Sequence, residues 1–177
     1  MKSKESIAEQ LAANVSALVQ WIEAQEAERF VWTPAPGKWS TGQHLDHLIR
    51  STRPLNLAYR LPYWGLRWQF GQKNERPERT YPELVTRYQE RLAQGGQATG
   101  PYVPPVVGVE QKAKLIAQFV RENERLIKAI GTHSEEKLGS YLLPHPLLGK
   151  LTLREMLYFA VHHVEHHYRI LLEQYAA

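Results

Sequence analysis

The sequence predicts an all-α fold: a four-helix bundle with crossover connections and a short extra helix. Three observations predict it. Apolar residues recur at three- and four-residue steps through four long stretches, which is the period of a helix. Ser40 with Gln43, and Thr152 with Glu155, form capping boxes that open two of those stretches. No segment alternates apolar and polar residues as a half-buried strand would. With 177 residues and 43% apolar content, residues 1–177 read as one folded domain with a full core rather than a disordered chain.

Taken in order, residues 4–29 read as the first helix, with Ile7, Leu11, Val15, Leu18 and Ile22 on its apolar side. A loop follows, Trp32 to Trp39, broken by Pro34, Pro36 and Gly37. Behind the Ser40 cap, the second helix runs from Thr41 to about Arg60 and turns Leu45, Leu48, Thr52, Leu55 and Tyr59 inward. Pro54 removes a backbone donor and crowds the preceding turn, so it should kink or divide this helix. Residues 61–79 mix Tyr63, Trp64, Trp68 and Phe70 with arginines, and fit either a short helix or a packed loop over an opening. Thr80 as cap and Pro82 in the first turn start a short helix that ends near Ala93. Glycines and prolines from Gly95 to Gly108 break the chain again. The third long helix spans Glu110 to Ile130, with Ala113, Ile116, Val120, Ile127 and Ile130 inward and Gly131 at its C-cap. Residues 132–150 read as a loop carrying His133 and His145, and the last helix runs from Leu153 to Tyr175.

Without cysteine there is no disulfide, no thiolate nucleophile and no Cys-type zinc site. No stretch approaches the ~18 unbroken apolar residues of a membrane span, and the N-terminus lacks the apolar run of a signal peptide. A soluble, cytoplasmic protein with no membrane partner is the expectation. The net charge of +4 is uneven: between Arg50 and Arg91 nine basic residues face four acids. Such a segment can attract an anion, yet no nucleic-acid-binding module accompanies it, so a solvated arginine-rich surface is expected rather than a nucleic-acid partner.

The strongest chemical signal is in the last helix, where His162, His163, His166 and His167 fall within six residues. At about 100° per residue, His167 lies ~40° from His163, on an arc shared with Met156, Ala160 and Ile170. His162 and His166 fall on the side of Glu155, Arg169 and Glu173, where a solvated or helix-packing role is expected. Two buried imidazoles one turn apart need partners for their ring nitrogens, and protonating both would place like charges together at low dielectric. A shared divalent metal resolves both difficulties. Two histidines leave the coordination sphere incomplete. A third ligand would come from His44 or His47 on the second helix, or from His133 or His145. Helical periodicity alone leans towards His44.

Two stretches carry a family resemblance. Residues 37–48, Gly-Lys-Trp-Ser-Thr-Gly-Gln-His-Leu-Asp-His-Leu, and residues 163–167, His-Val-Glu-His-His, resemble the DinB-like superfamily, which includes a bacillithiol-transferase-like branch. The resemblance implies a bundle whose second and fourth helices hold one divalent metal through three histidines. Matched by position these are His47, His163 and His167, so the resemblance selects His47 where periodicity leaned to His44.

Three neutral nitrogen ligands suit zinc or nickel and leave an open position that can activate a bound water or thiolate. Glu165 points away from His163, which leaves Ser51 and Tyr59 as candidate bases. The lack of an inward carboxylate favours a transferase over a hydrolase. The expected partner is a small-molecule substrate, with an anionic thiol received by the basic segment, and the exposed aromatics Trp64 and Trp68 suit a homodimer. The competing expectation is a non-catalytic bundle, its metal closed off by a fourth ligand and its basic surface binding a partner.

Overall fold

The computed structural model describes residues 3–73 and 76–176; Asn74 and Glu75 of the basic segment lie outside them. Four long helices form the bundle: α1 (Lys4–Glu23), α3 (Thr41–Ala58), α6 (Lys112–Gly131) and α8 (Leu153–Ala176). Both α1 and α3 pack against α6 and against α8. Helices consecutive in this set, α1 then α3 and α6 then α8, therefore sit across the bundle from one another, which requires the crossover connections. Shorter helices lie between the long ones: α2 (Ala27–Val31) and α7 (Glu135–Ser140) in the two crossovers, and α4 (Tyr63–Phe70) and α5 (Tyr81–Ala93) between α3 and α6.

The predicted first helix stops at Glu23, six residues early. Its apolar period ends at Ile22, and the polar run after it gives a continued helix nothing to bury. The chain turns instead, and α2 inserts Phe30 into the core at 1% exposure. The α3 cap forms as expected: the Ser40 hydroxyl accepts from Gln43 N–H, and the Gln43 side chain accepts from Ser40 N–H. Pro54 does not divide α3, which runs through it with the ring on the exposed side. Of the two readings of residues 61–79, the short helix is correct; α4 holds Leu66 in the core and leaves Trp64 and Trp68 exposed.

The expected inward face of α6 was rotated from the real one. Leu115, Phe119, Leu126 and Ile130 are buried, whereas Ala113 is exposed and Ile116, Val120 and Ile127 are half-buried. Two polar residues inside the buried stripe, Glu122 and Asn123, disguise it. They are tolerated because they are bonded: Asn56 Nδ2 donates to both the backbone carbonyl and the carboxylate of Glu122, each at 2.9 Å, and Asn123 Nδ2 donates to the Phe119 carbonyl.

Two strands were not expected. β1 (Leu142–His145) and β2 (Gly149–Thr152) form an antiparallel hairpin that begins in the predicted loop and runs two residues past its end, with His145 opposite Gly149. It is too short for a period to show, and Pro144 argues against a ladder. Pro144 is exposed on this two-stranded ribbon, and Gly149 takes the left-handed conformation (φ 74°) that closes the turn. The hairpin delivers the chain to α8, whose capping box is formed by Thr152 and Glu155 as the sequence predicts. No helix among the described residues is long and apolar enough to cross a membrane.

Candidate metal centre

Helices α3 and α8 pack together and bring their histidines face to face. His47 Nε2 lies 3.1 Å from His163 Nε2, and His167 Nε2 lies 3.0 Å from the same atom. Each of the three residues offers one nitrogen within 4.8 Å of the others, and all three are buried. The run splits as the helical period required: His163 and His167 share this cluster, while His162 and His166 do not. Trp39, from the loop before α3, caps it, stacked over His167 and tilted against His47 at 5.0 Å. On the other side Phe159 stacks on His163 at 4.7 Å.

Proton positions follow from the partners. His47 Nδ1 is 2.7 Å from the Tyr102 carbonyl, which can only accept, so His47 carries its proton on Nδ1 and turns a lone pair on Nε2 towards the cluster. Burial pulls His163 and His167 well below the ordinary 6.5, and the neighbouring imidazoles add to it. Burial also lowers His47, against the opposing effects of the Tyr102 carbonyl and Asp46. Three neutral rings therefore converge, with room for at most one proton between His163 and its two neighbours. A divalent cation would replace that proton and accept all three lone pairs. The spacing suits it, since nitrogens on a tetrahedral zinc at ~2.0–2.1 Å stand roughly 3.3 Å apart. The three histidines thus form a cluster able to hold a divalent metal.

The other histidines are placed differently. His44 packs beside the cluster with Nδ1 2.7 Å from His167 Nδ1; it contacts a member of the cluster without joining the convergent nitrogens. His133 is bonded between the Tyr63 hydroxyl and the Tyr59 carbonyl. His145 Nδ1 accepts from the N–H groups of Leu147 and Leu148 at 3.1 Å each, which fixes its proton on Nε2. Burial holds His145 neutral, at about 4.

Of the two roles expected for His162 and His166, a solvated face or helix packing, His162 takes the second and is 3% exposed. Helix α5 covers that side, laying Tyr81 and Tyr88 over the His162 ring. Glu155, assigned to the same polar arc, is fully buried and paired with Arg76 and Arg79. The helical wheel of α8 alone could not show that a second helix and an arginine clamp cover its polar arc.

A cavity of about 810 Å³ opens onto the cluster. His44, His47, His163 and His167 lie in its wall with Trp39 and Tyr88, and apolar groups such as Leu55, Phe70, Met156 and Ile170 make up much of the rest. Among the described residues no Asp or Glu lines it, and Lys38 is the one Lys or Arg. The basic segment therefore does not supply the cavity's charge. Arg50 pairs with Asp46, Arg53 with Glu122, and Arg76 and Arg79 with Glu155. Of the two candidate bases, Ser51 lines the cavity but donates to the His47 carbonyl. Tyr59 is buried elsewhere and donates to the Leu153 carbonyl, a structural tie rather than a base. Glu165 faces away, bonded to Tyr81 and Arg169.

The Tyr102 carbonyl, which orients His47, had no signal in the sequence, because a backbone acceptor leaves none. The roof had one: Trp39 directly precedes the α3 cap in the stretch that carries the family resemblance.

A sequence profile of the DinB superfamily matches residues 10–171. Among curated proteins none matches. The fold is similar to that of YfiT from Bacillus subtilis, described as a probable metal-dependent hydrolase with an unusual four-helix bundle topology (18% identity, covering 98% of this chain and 86% of that one, TM-score 0.63). It is also similar to a conserved protein from Enterococcus faecalis (16% identity, 98% and 95% covered, TM-score 0.64). The colibactin self-resistance protein ClbS, solved in complex with double-stranded DNA, is a third (19% identity, 98% and 95% covered, TM-score 0.58). At these identities the likeness is one of fold.

Proposed function

The chain belongs to the DinB superfamily, and on that premise we propose that it is a metal-dependent enzyme in which His47, His163 and His167 hold one divalent ion, zinc or nickel, and an external thiol is the nucleophile. The observation that carries this reading is the open side of the cluster. Three ring nitrogens converge beside a cavity, and among the described residues no fourth His, Asp or Glu joins their group: His133 and His145 Nδ1 are bonded elsewhere and His44 turns Nδ1 to His167. Structural sites are closed, whereas catalytic ones keep a position free. This weighs against a non-catalytic bundle.

A bound divalent ion supplies Lewis acidity that lowers the pKa of a coordinated thiol or water. The residues of the chain do the rest. The Tyr102 carbonyl holds His47 in the ligating tautomer, and Trp39 and Phe159 fix the rings by packing. The apolar wall excludes water and receives the body of the electrophile. His145, its proton held on Nε2, offers a neutral donor from the hairpin side of the same wall. Lys38 is placed to meet the anionic group of a charged thiol, a role the arginines of residues 50–91 do not fill because none of them lines the cavity. Hydrolysis is the weaker reading because, among the described residues, no carboxylate lines the cavity to deprotonate water.

Elemental analysis of protein purified without a histidine tag should find about one metal per chain, lost in His163→Ala. In the cobalt-loaded protein, adding 2-mercaptoethanol should raise a thiolate charge-transfer band. Absence of any stoichiometric metal after reconstitution overturns the metal reading, and a metal-loaded chain with no thiolate band overturns the thiol reading alone.

A further inference from the structure

We propose that His44 is a positioning residue that holds His167 in its metal-binding tautomer. The proposal rests on the assignment of His167 as a ligand. The two Nδ1 atoms are 2.7 Å apart, so one donates and the other accepts. Only two neutral arrangements exist. If His44 donates, His167 carries its second-nitrogen proton on Nε2, aimed at His163, and has no lone pair for an ion. If His167 donates, its Nε2 lone pair is free, and His44 carries its own proton on Nε2. That His44 nitrogen is buried with no hydrogen-bond partner.

The second arrangement is the ligating one, and His44 provides the acceptor it needs. A ligating imidazole ordinarily donates its other N–H to a carboxylate, a carbonyl or water, which fixes its orientation. For His47 that partner is the Tyr102 carbonyl. Among the described residues His167 bonds no carbonyl or carboxylate, and its Nδ1 meets His44 instead. A neutral imidazole is a suitable substitute, because its Nδ1 lone pair can accept the bond that His167 Nδ1 donates across 2.7 Å. Trp39 packs edge-on against the His44 ring at 5.5 Å and keeps it in place. The unpartnered His44 Nε2 is the cost of the arrangement.

Two variants separate this role from space filling. His44→Asn keeps an acceptor at the δ position; His44→Leu keeps apolar bulk without one. Zinc affinity is read by competition with a chromophoric chelator, and circular dichroism of the metal-free forms checks the fold. His44→Leu should bind zinc roughly 10- to 100-fold more weakly than wild type, and His44→Asn should recover most of the loss. Equal affinity in His44→Leu and wild type overturns the proposal, as does equal weakening in both variants. Should His44→Leu fail to fold, long-range ¹H–¹⁵N correlation on zinc-loaded wild type decides. A neutral His44 with its proton on Nε2 is expected; a proton on Nδ1, or a metal-shifted His44 nitrogen, overturns it. A wild-type chain that takes up no zinc overturns the ligand assignment itself, a failure distinct from any difference between the variants.

Discussion

Replacing Glu155 with Gln tests how the helix that carries His163 and His167 is anchored. The carboxylate is fully buried at the start of α8. It accepts from Arg76 Nη1 and Nη2 at 2.8 and 2.7 Å, from the Arg79 and Thr152 backbone N–H groups at 2.8 Å each, and from Arg79 Nη1 at 3.3 Å. Burial would raise its pKa, but these donors and the Arg76 charge outweigh burial and hold the carboxyl below the ordinary 4.5. Removing one partner of a buried pair costs ~3–5 kcal/mol. The arginines are 27% and 23% exposed and can partly rehydrate, so the low end, about 3 kcal/mol, is expected. With an unfolding entropy of roughly 2.1 cal/mol/K per residue across the chain, that is a fall of about 8 °C in Tm. Because the folded pKa is depressed, the contribution is complete above the unfolded-state value and lost as pH falls through the folded one. Wild type and variant should therefore converge at acid pH. Thermal melts at pH 7 and in a series below 4.5 measure both effects, with Glu165→Gln, in an exposed pair with Arg169, as a control that should barely move. A fall of less than about 2 °C at pH 7, or a gap that widens on acidification, would refute the anchoring argument.

His162→Ala should keep one metal per chain while lowering stability by about 2 kcal/mol, since it empties the space under Tyr81 and Tyr88 but also removes an unpartnered buried nitrogen; loss of metal on this substitution would show that the ring belongs to the site. Zinc affinity should fall less between pH 7.5 and 6 than at a site of ordinary imidazoles, because burial lowers the pKa of His47, His163 and His167 and leaves less proton competition for their lone pairs. A steep loss over that range in a competition titration would mean the rings titrate near their ordinary value.

What the sequence made legible is what a single helix can express. The period of α1 and of α3 and the two capping boxes need only neighbours three or four residues away. The inward turn of His163 and His167 is read the same way. What it hid depends on partners distant in the chain. Glu122 and Asn123 look like the wet side of α6 until Asn56 is placed opposite one of them. Glu155 and His162 look exposed until α5 and residues 76–79 fold over them. Choosing between His44 and His47 by angle also failed, because both face α8: they differ in which nitrogen they turn to it and in what holds the other side of the ring. The hairpin was invisible because four-residue strands carry no period and one contains proline.

The convergence of α3 and α8 also bears on how the chain holds together. His47 and His163 are 116 positions apart. Closing a flexible loop of that length costs ~4 kcal/mol in chain entropy, before any constant. The chain has no cysteine with which to lock such a loop. An ion held by His47, His163 and His167 would be a reversible cross-link between early and late segments, made only after the bundle has assembled and released by any strong chelator. Metal supply would then set the rate at which the fold opens. Loaded and stripped protein would differ most in resistance to slow unfolding, such as survival under protease at elevated temperature.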